Sequence, residues 1–253
     1  MGGDLRLNLV QVGNCLFANH LETGDQPVPL RVAQSVYMQG IKVQGGAILH
    51  HAEIMGSLNC FGVELRSGLH CDWVRLGGGL DLNAAVVRGN ATFNHARVGQ
   101  EMNLYDARVE GNLLGINLEV GSAEQAGGGL NLASAAVTGE VHLRGAHIHG
   151  NLQMSSVDLP GGFYAYPSER RTVIDGDLLL TAARIAGIVN VSGARINGGF
   201  SLAGAQLQGD LRCQPYEIEG QAHPTEFGQA YWFGANITGS IFLHGAQVRG
   251  DLN

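Results

Sequence analysis

Residues 174–217 read IDGDLLLTAAR, IAGIVNVSGAR, INGGFSLAGAQ and LQGDLRCQPYE, four consecutive units of eleven, with Ile218 standing where a fifth would begin. Each unit opens on an aliphatic anchor and places Gly two residues later. Apolar residues follow at the fifth and seventh positions, then two turn-like residues, a small apolar one and a polar one. From the small residue through the anchor, the Gly and the two apolar positions, the inward candidates fall at every second place. That is the period of a strand. A helix would need apolar spacings of three and four and would be weakened by a Gly in every unit.

Working outward, the template runs through nearly the whole 253-residue chain. GDLRLNLVQV already fits it at Gly3, Leu5, Leu7 and Val12. Anchors recur at eleven from Val32 through Val43, Ile54 and Leu65 to Val120. Extra residues then lead to Ala126, and the series resumes at Val137, Ile148 and Leu159, and after another break at Ile174. A last break separates Ile218 from Ile237, and Val248 is the final anchor. A fixed period of this kind is the signature of a repeat architecture. We therefore expect one all-β domain over residues 1–253, a parallel β-solenoid or β-helix interrupted by short insertions near 24–31, 121–126, 166–171 and 223–231. Eleven residues would enclose too thin a core, so two units, 22 residues, should close one roughly four-sided coil. The interior Gly then marks a bend or a close backbone approach. Some ten coils stacked at about 4.8 Å make a rod about 50 Å long.

The units GDLLLTAARI at Gly176–Ile185 and GGFSLAGAQL at Gly198–Leu207 resemble those of pentapeptide-repeat-like bacterial solenoids. They are also similar to longer bacterial proteins described as membrane-associated oxidoreductases. The resemblance implies a right-handed, four-sided β-helix; the strict five-residue period of the pentapeptide subfamily is absent. Bactofilins, another bacterial β-helix family, share GD-plus-aliphatic units but have longer coils and polymerise end to end.

Composition narrows the function. The 39 glycines carry no Gly-X-Y period and fit tight corners. A net charge of −7 with Lys42 as the single lysine argues against a nucleic-acid backbone binder. No apolar run reaches a membrane span and no signal segment opens the chain, so a cytoplasmic location is the default expectation. There is no GxGxxG at a strand-to-helix turn, no flavin or nicotinamide motif and no CxxC pair, so neither enzyme activity nor a cofactor is expected. Of the four cysteines, Cys60, Cys71 and Cys213 fall on inward positions and read as small buried hydrophobes, leaving Cys15.

Three groups could carry chemistry. His147 and His149 flank Ile148 on one outward face near His142, but spacing supplies no third metal ligand, and they read as a solvated face. Asp175 and Asp177 read as a solvated corner, because Asn, Asp or Gly fills the position of Asp177 in other units. The Asn90, Asn190 and Asn236 sequons read as chance. More informative are residues repeating every 22: His51, Trp73 and His95; Glu53, Arg75, Arg97 and Glu119; Asn59, Asp81 and Asn103. Each set becomes a file along the rod that stacks or pairs charges. The candidate partner surface is His51, Trp73 and His95 together with Tyr164, Tyr166, Tyr231, Trp232 and Phe233, aromatics beside insertions.

The leading expectation is a non-catalytic scaffold or protein-interaction rod, with no small-molecule substrate. Alternatives are an end-to-end filament and an acidic DNA mimic acting on a DNA-binding enzyme. Gly3-Asp4-Leu5 enters the template at once and Leu252-Asn253 leaves it mid-strand, which leaves strand edges open. That predicts either a piece of a longer rod or contact between copies through terminal coils. The assigned faces make a further prediction. Ile185→Asp or Ile196→Asp buries an unpartnered charge and should cost several kcal/mol. Arg195→Ala, on the outward side, should cost under about 1 kcal/mol. Thermal unfolding distinguishes these, and equal effects would reverse inside and outside.

Overall fold

One turn of the chain shows how the template becomes structure. Glu53–Ile54, Leu58–Asn59, Glu64–Leu65 and Leu69–His70 are two-residue strands, and Arg75–Leu76 then returns to lie beside Glu53–Ile54. These four dyads define faces I to IV of a coil. On faces I and III the outward residue comes first; on faces II and IV the inward residue does. A computed structural model describes residues 3–18, 21–23, 26–124 and 128–251, with backbone alone over 21–23 and 26–28. Its architecture is an all-β, parallel solenoid, and among the described residues no helix is long and apolar enough to cross a membrane.

Faces III and IV are each ten-stranded parallel sheets. Leu65 pairs with Val87 and Val87 with Val109 on face III, while Ile54, Leu76 and Val98 pair in the same way on face I. All six are buried. The Leu, Ile, Val, Phe and Ala columns of the four faces meet in one continuous core. Each fully buried aliphatic side chain contributes about 1.5–3 kcal/mol.

Two kinds of corner close the coil. After most anchors the chain bends at Gly: a Cβ on Gly56 would lie 2.9 Å from the Gln34 carbonyl oxygen of the previous coil, so the approach is to the neighbouring coil and not across the rod. Eight residues after most anchors the chain takes a left-handed conformation, as at Gly62 (φ 60°) between faces II and III and at Trp73 (φ 60°) between faces IV and I. Bulky residues rarely adopt this region. It throws the Trp73 side chain outward at the edge.

The Asp177 position has a definite job. Asp177 Oδ1 accepts the Gly199 N–H at 2.7 Å, Asn151 Oδ1 accepts the Asp177 N–H at 2.8 Å, and Asn90 Oδ1 accepts the Asn112 N–H at 2.9 Å. What reads in sequence as a solvated corner holds Asn151 and Asp177, which cap backbone donors of the next coil between faces I and II, as Asn90 does between faces III and IV.

The insertions return the chain to register. Leu21–Thr23 and Gln26–Val28 pair as an antiparallel hairpin, as do Tyr216–Ile218 and Gln221–His223. The second hairpin corrects the reading of Ile218 as an anchor. Ile218 lies in the hairpin, while Phe227, in the strand Glu226–Tyr231, pairs with Ile196 and takes the buried position. The extra residues therefore precede this strand and do not run through it. Arg195–Ser201 and Glu226–Tyr231 run through the corner from face I to face II, with a register shift between Ile196 and Gly199. Ala126 and Leu252–Asn253 lie outside the described residues.

Cys60, Cys71 and Cys213 sit in the core, where burial pushes all three thiols up, Cys60 to about 12. Cys15 is only partly buried. A thiol reagent at neutral pH should therefore modify Cys15 in the native protein, and the other three only after unfolding. Rapid native labelling of more than one equivalent would contradict this core.

Candidate binding groove

The corner between faces IV and I carries three insertions. The hairpin at residues 21–28 lies between Phe17 on face IV and Arg31 on face I. The segment 165–172 lies between Tyr164 and Val173. The hairpin at 216–223 lies between Arg212 and Glu226. The insertion after Val120 leaves instead between faces I and II. In repeat proteins, insertions concentrated on one side mark the side that binds.

Along this corner His51, Trp73 and His95 form one file. Their rings are nearly parallel, with centroids 6.1 Å apart for His51 and Trp73 and 4.0 Å for Trp73 and His95. Trp73 is 50 % exposed. Asn117 continues the file, also in the left-handed conformation, and there it turns from stacking to hydrogen bonding. Its Nδ2 donates to Glu169 Oε2 at 3.0 Å and its Oδ1 accepts from Ser168 Oγ at 2.6 Å. Arg170 donates to the carbonyls of Gly145 (2.7 Å), Asn117 (3.0 Å) and Leu118 (3.2 Å). Asn117 and Arg170 thereby hold the 165–172 segment against the rod as a wall.

The result is an open groove of about 600 Å³ running along the edge from Pro29 to Glu169 and Arg170, bordered by the outward residues of face I. There the charges follow one another in register: Arg31, Glu53, Arg75, Arg97, Glu119. Arg31 pairs with Glu53 at 2.8 Å and Arg97 with Glu119 at 3.4 Å. Among the described residues no carboxylate pairs with Arg75, which lies between a satisfied Glu53 and a like-charged Arg97. Asn59, Asp81 and Asn103 do form a file, which borders a separate polar trough on face II.

The other sequence candidates separate. Tyr164 stacks on His142 (4.7 Å) and donates to Glu140 Oε1 at 3.2 Å; burial, then the Glu140 charge, pushes its phenol up. Tyr166 meets Tyr216 at 5.4 Å, under the Arg144 guanidinium, on the same edge beyond the wall. Tyr231 lies outward on face II beside Ser201, and Phe233 is 86 % exposed at the opposite corner. Trp232 packs against the core, edge-on to Phe200 at 6.1 Å. Alternation placed it inward, because its outward neighbours Tyr231 and Phe233 flank it.

Glu226 joins the insertions. Its carboxylate, 10 % exposed, takes Arg171 at 2.7 Å, Arg195 at 3.7 Å and Arg249, while Arg171 also donates to the Pro224 carbonyl at 2.5 Å. Burial alone would raise the Glu226 carboxyl, but the Arg171 hydrogen bond and the three guanidinium charges outweigh it and hold it below 4.5. Arg195 is thus tied to a buried acid, and Arg195→Ala should cost more than an ordinary outward substitution. No protein-family model, curated protein sequence or solved structure gives a significant match to this chain.

Glu226→Ala should destabilise the protein by about 3 kcal/mol at neutral pH, because it leaves Arg171 buried without its anion. A depressed carboxyl stabilises the fold above its unfolded value and stops doing so as pH falls through the folded value. The difference in melting temperature between wild type and variant should hold steady down to about pH 4.5 and shrink below it. A difference that grows on acidification would refute this assignment.

Proposed function

We propose that the chain is a non-catalytic protein-interaction rod that holds an extended, carboxylate-bearing segment of a protein partner in the groove beside His51, Trp73 and His95. The observation that carries this reading is the convergence on one edge of three insertions, a stacked ring file and the unpaired Arg75. The stacking selects the ligand class. One face of Trp73 is covered by His95 at 4.0 Å, and the 6.1 Å to His51 leaves no space for a third ring, which needs about 3.5 Å on each side. A sugar or base that binds by face-stacking finds no free face on Trp73. The edges of Trp73 and His95, with their polar nitrogens, border the groove, and an extended backbone can hydrogen-bond along them while an acidic side chain reaches Arg75.

The DNA-mimic alternative is disfavoured by how charge is arranged. Such a surface needs a stripe of unpaired carboxylates, whereas Lys42–Glu64 (2.7 Å), Arg88–Glu110 (3.6 Å) and Arg97–Glu119 (3.4 Å) neutralise one another between coils.

Selection of a displayed random-peptide library on the intact protein tests the proposal. Enriched peptides should carry Asp or Glu. Arg75→Glu and Trp73→Ala should each weaken their binding at least about tenfold, or about 1.4 kcal/mol. Arg184→Glu, on face III, should leave it unchanged. Peptides that bind both groove variants as tightly as wild type would overturn the reading.

A further inference from the structure

One coil beyond the groove, face I brings together three groups that the eleven-residue period keeps apart. His147 and His149 flank the buried Ile148, and Asp175 follows Ile174, which pairs with Ile148. His147 Nε2 lies 3.0 Å and His149 Nδ1 3.2 Å from the same atom, Asp175 Oδ2. The two imidazole centroids are 3.9 Å apart, and one ligand atom from each residue falls within 4.8 Å of the others. The geometry points to a divalent transition-metal site, of the zinc class, formed by His147, His149 and Asp175 on the outer surface of the rod.

Three observations support it. A tetrahedral ion with bonds of about 2.0–2.1 Å has ligand-to-ligand edges of about 3.3 Å. The two edges at Asp175 Oδ2 are already close to that length. Next, the ligands are supported from behind. Asn197 Nδ2 donates to Asp175 Oδ1 at 3.0 Å, which turns Oδ2 toward the imidazoles. Glu119 Oε1 lies 3.9 Å from His149 Nε2, on the side away from the Asp175 contact. A hydrogen-bonded amide such as Asn197 orients a metal ligand, while Glu119, beyond hydrogen-bond distance, adds negative charge beside His149. Lastly, the space is made for His149. In the preceding coil its position is taken by Gly121 (φ 82°), where the chain leaves for the insertion, and a Cβ there would sit 3.0 Å from that of His149.

Protons are a poor substitute for the ion. Two imidazolium rings 3.9 Å apart would share a single carboxylate and repel each other, whereas one divalent cation satisfies both neutral rings and the acid together. Two imidazoles with one carboxylate select zinc, cobalt or nickel over magnesium or calcium, which prefer all-oxygen shells. His149 is 10 % and His147 30 % exposed, so the site is half-buried with an open side for water. The ion would tie two successive coils at the end of the groove where Glu119 also receives Arg97.

Zinc titration of the chelator-stripped full chain by calorimetry, with cobalt as an optical probe, tests this. We expect one equivalent of zinc, the visible absorption of four- or five-coordinate cobalt, a raised melting temperature, and weakening as pH falls and protons compete. His149→Ala and Asp175→Asn should each lower zinc affinity at least tenfold, while His142→Ala should leave it unchanged. Circular dichroism checks each fold, and if His149→Ala fails to fold, the more exposed His147→Gln takes its place. No uptake by folded wild type, undiminished uptake in the ligand variants, or an equal loss in His142→Ala would overturn the assignment.

Discussion

The structure depends on the backbone hydrogen bonds that join each coil to the next in parallel register. Met55 N–H donates to Val32, Leu58 to Gly79 and Cys60 to Asp81, all between 2.7 and 3.0 Å. Because side chains alternate in and out along each dyad, a slip of one residue would exchange core for surface on that face. Every departure from the repeat must therefore begin and end at a corner. The 216–223 hairpin illustrates this: after it, Phe227 takes up the column of Ile196 and Ile174 as if nothing had intervened.

Register also places like positions directly above one another, so each outward file must manage its own charge. Most do so by alternation, as Arg31 with Glu53 and Arg97 with Glu119, or by capping backbone donors, as Asp177 and Asn151 do. The face I file that holds those two ion pairs also breaks the rule, at two places. Arg75 beside Arg97 leaves a cation without an anion, and His147 and His149 converge on one carboxylate oxygen. Both departures lie on face I, beside the edge that carries three insertions.

Glu226 shows why the edge is rigid enough to recognise anything. Eight residues of loop would ordinarily fluctuate, but Arg171 anchors the 165–172 segment to a buried carboxylate, and Arg170 and Asn117 fasten its other side. Tyr166 and Tyr216 then pack the neighbouring insertion against it. The groove wall is thus part of the same network that closes the solenoid, and under the proposed function its shape is set before a partner binds. Such preorganisation lowers the ordering cost of binding.

The period of eleven, the inward sets and the 22-residue files were legible in the chain because backbone alternation and stacking are local rules repeated many times. Inward positions such as Leu65, Val87 and Cys60 could be read from any unit, and the His51–Trp73–His95 file from simple counting. Counting would also have found that three insertions share one corner, since each follows a face IV dyad. What counting could not reach was decided by side-chain geometry across breaks in the repeat. Ile218 has the look of an anchor, but the antiparallel hairpin it joins sends Phe227 into the core instead. Asp175 and Asp177 look alike in sequence; one faces two imidazoles and the other a backbone donor. The insertion that follows Val120 and the one before Val173 lengthen the spacings between Glu119, His147 and Asp175, so counting by 22 does not bring them together. Only the closed coils, by returning each strand to its register, bring those groups within bonding distance.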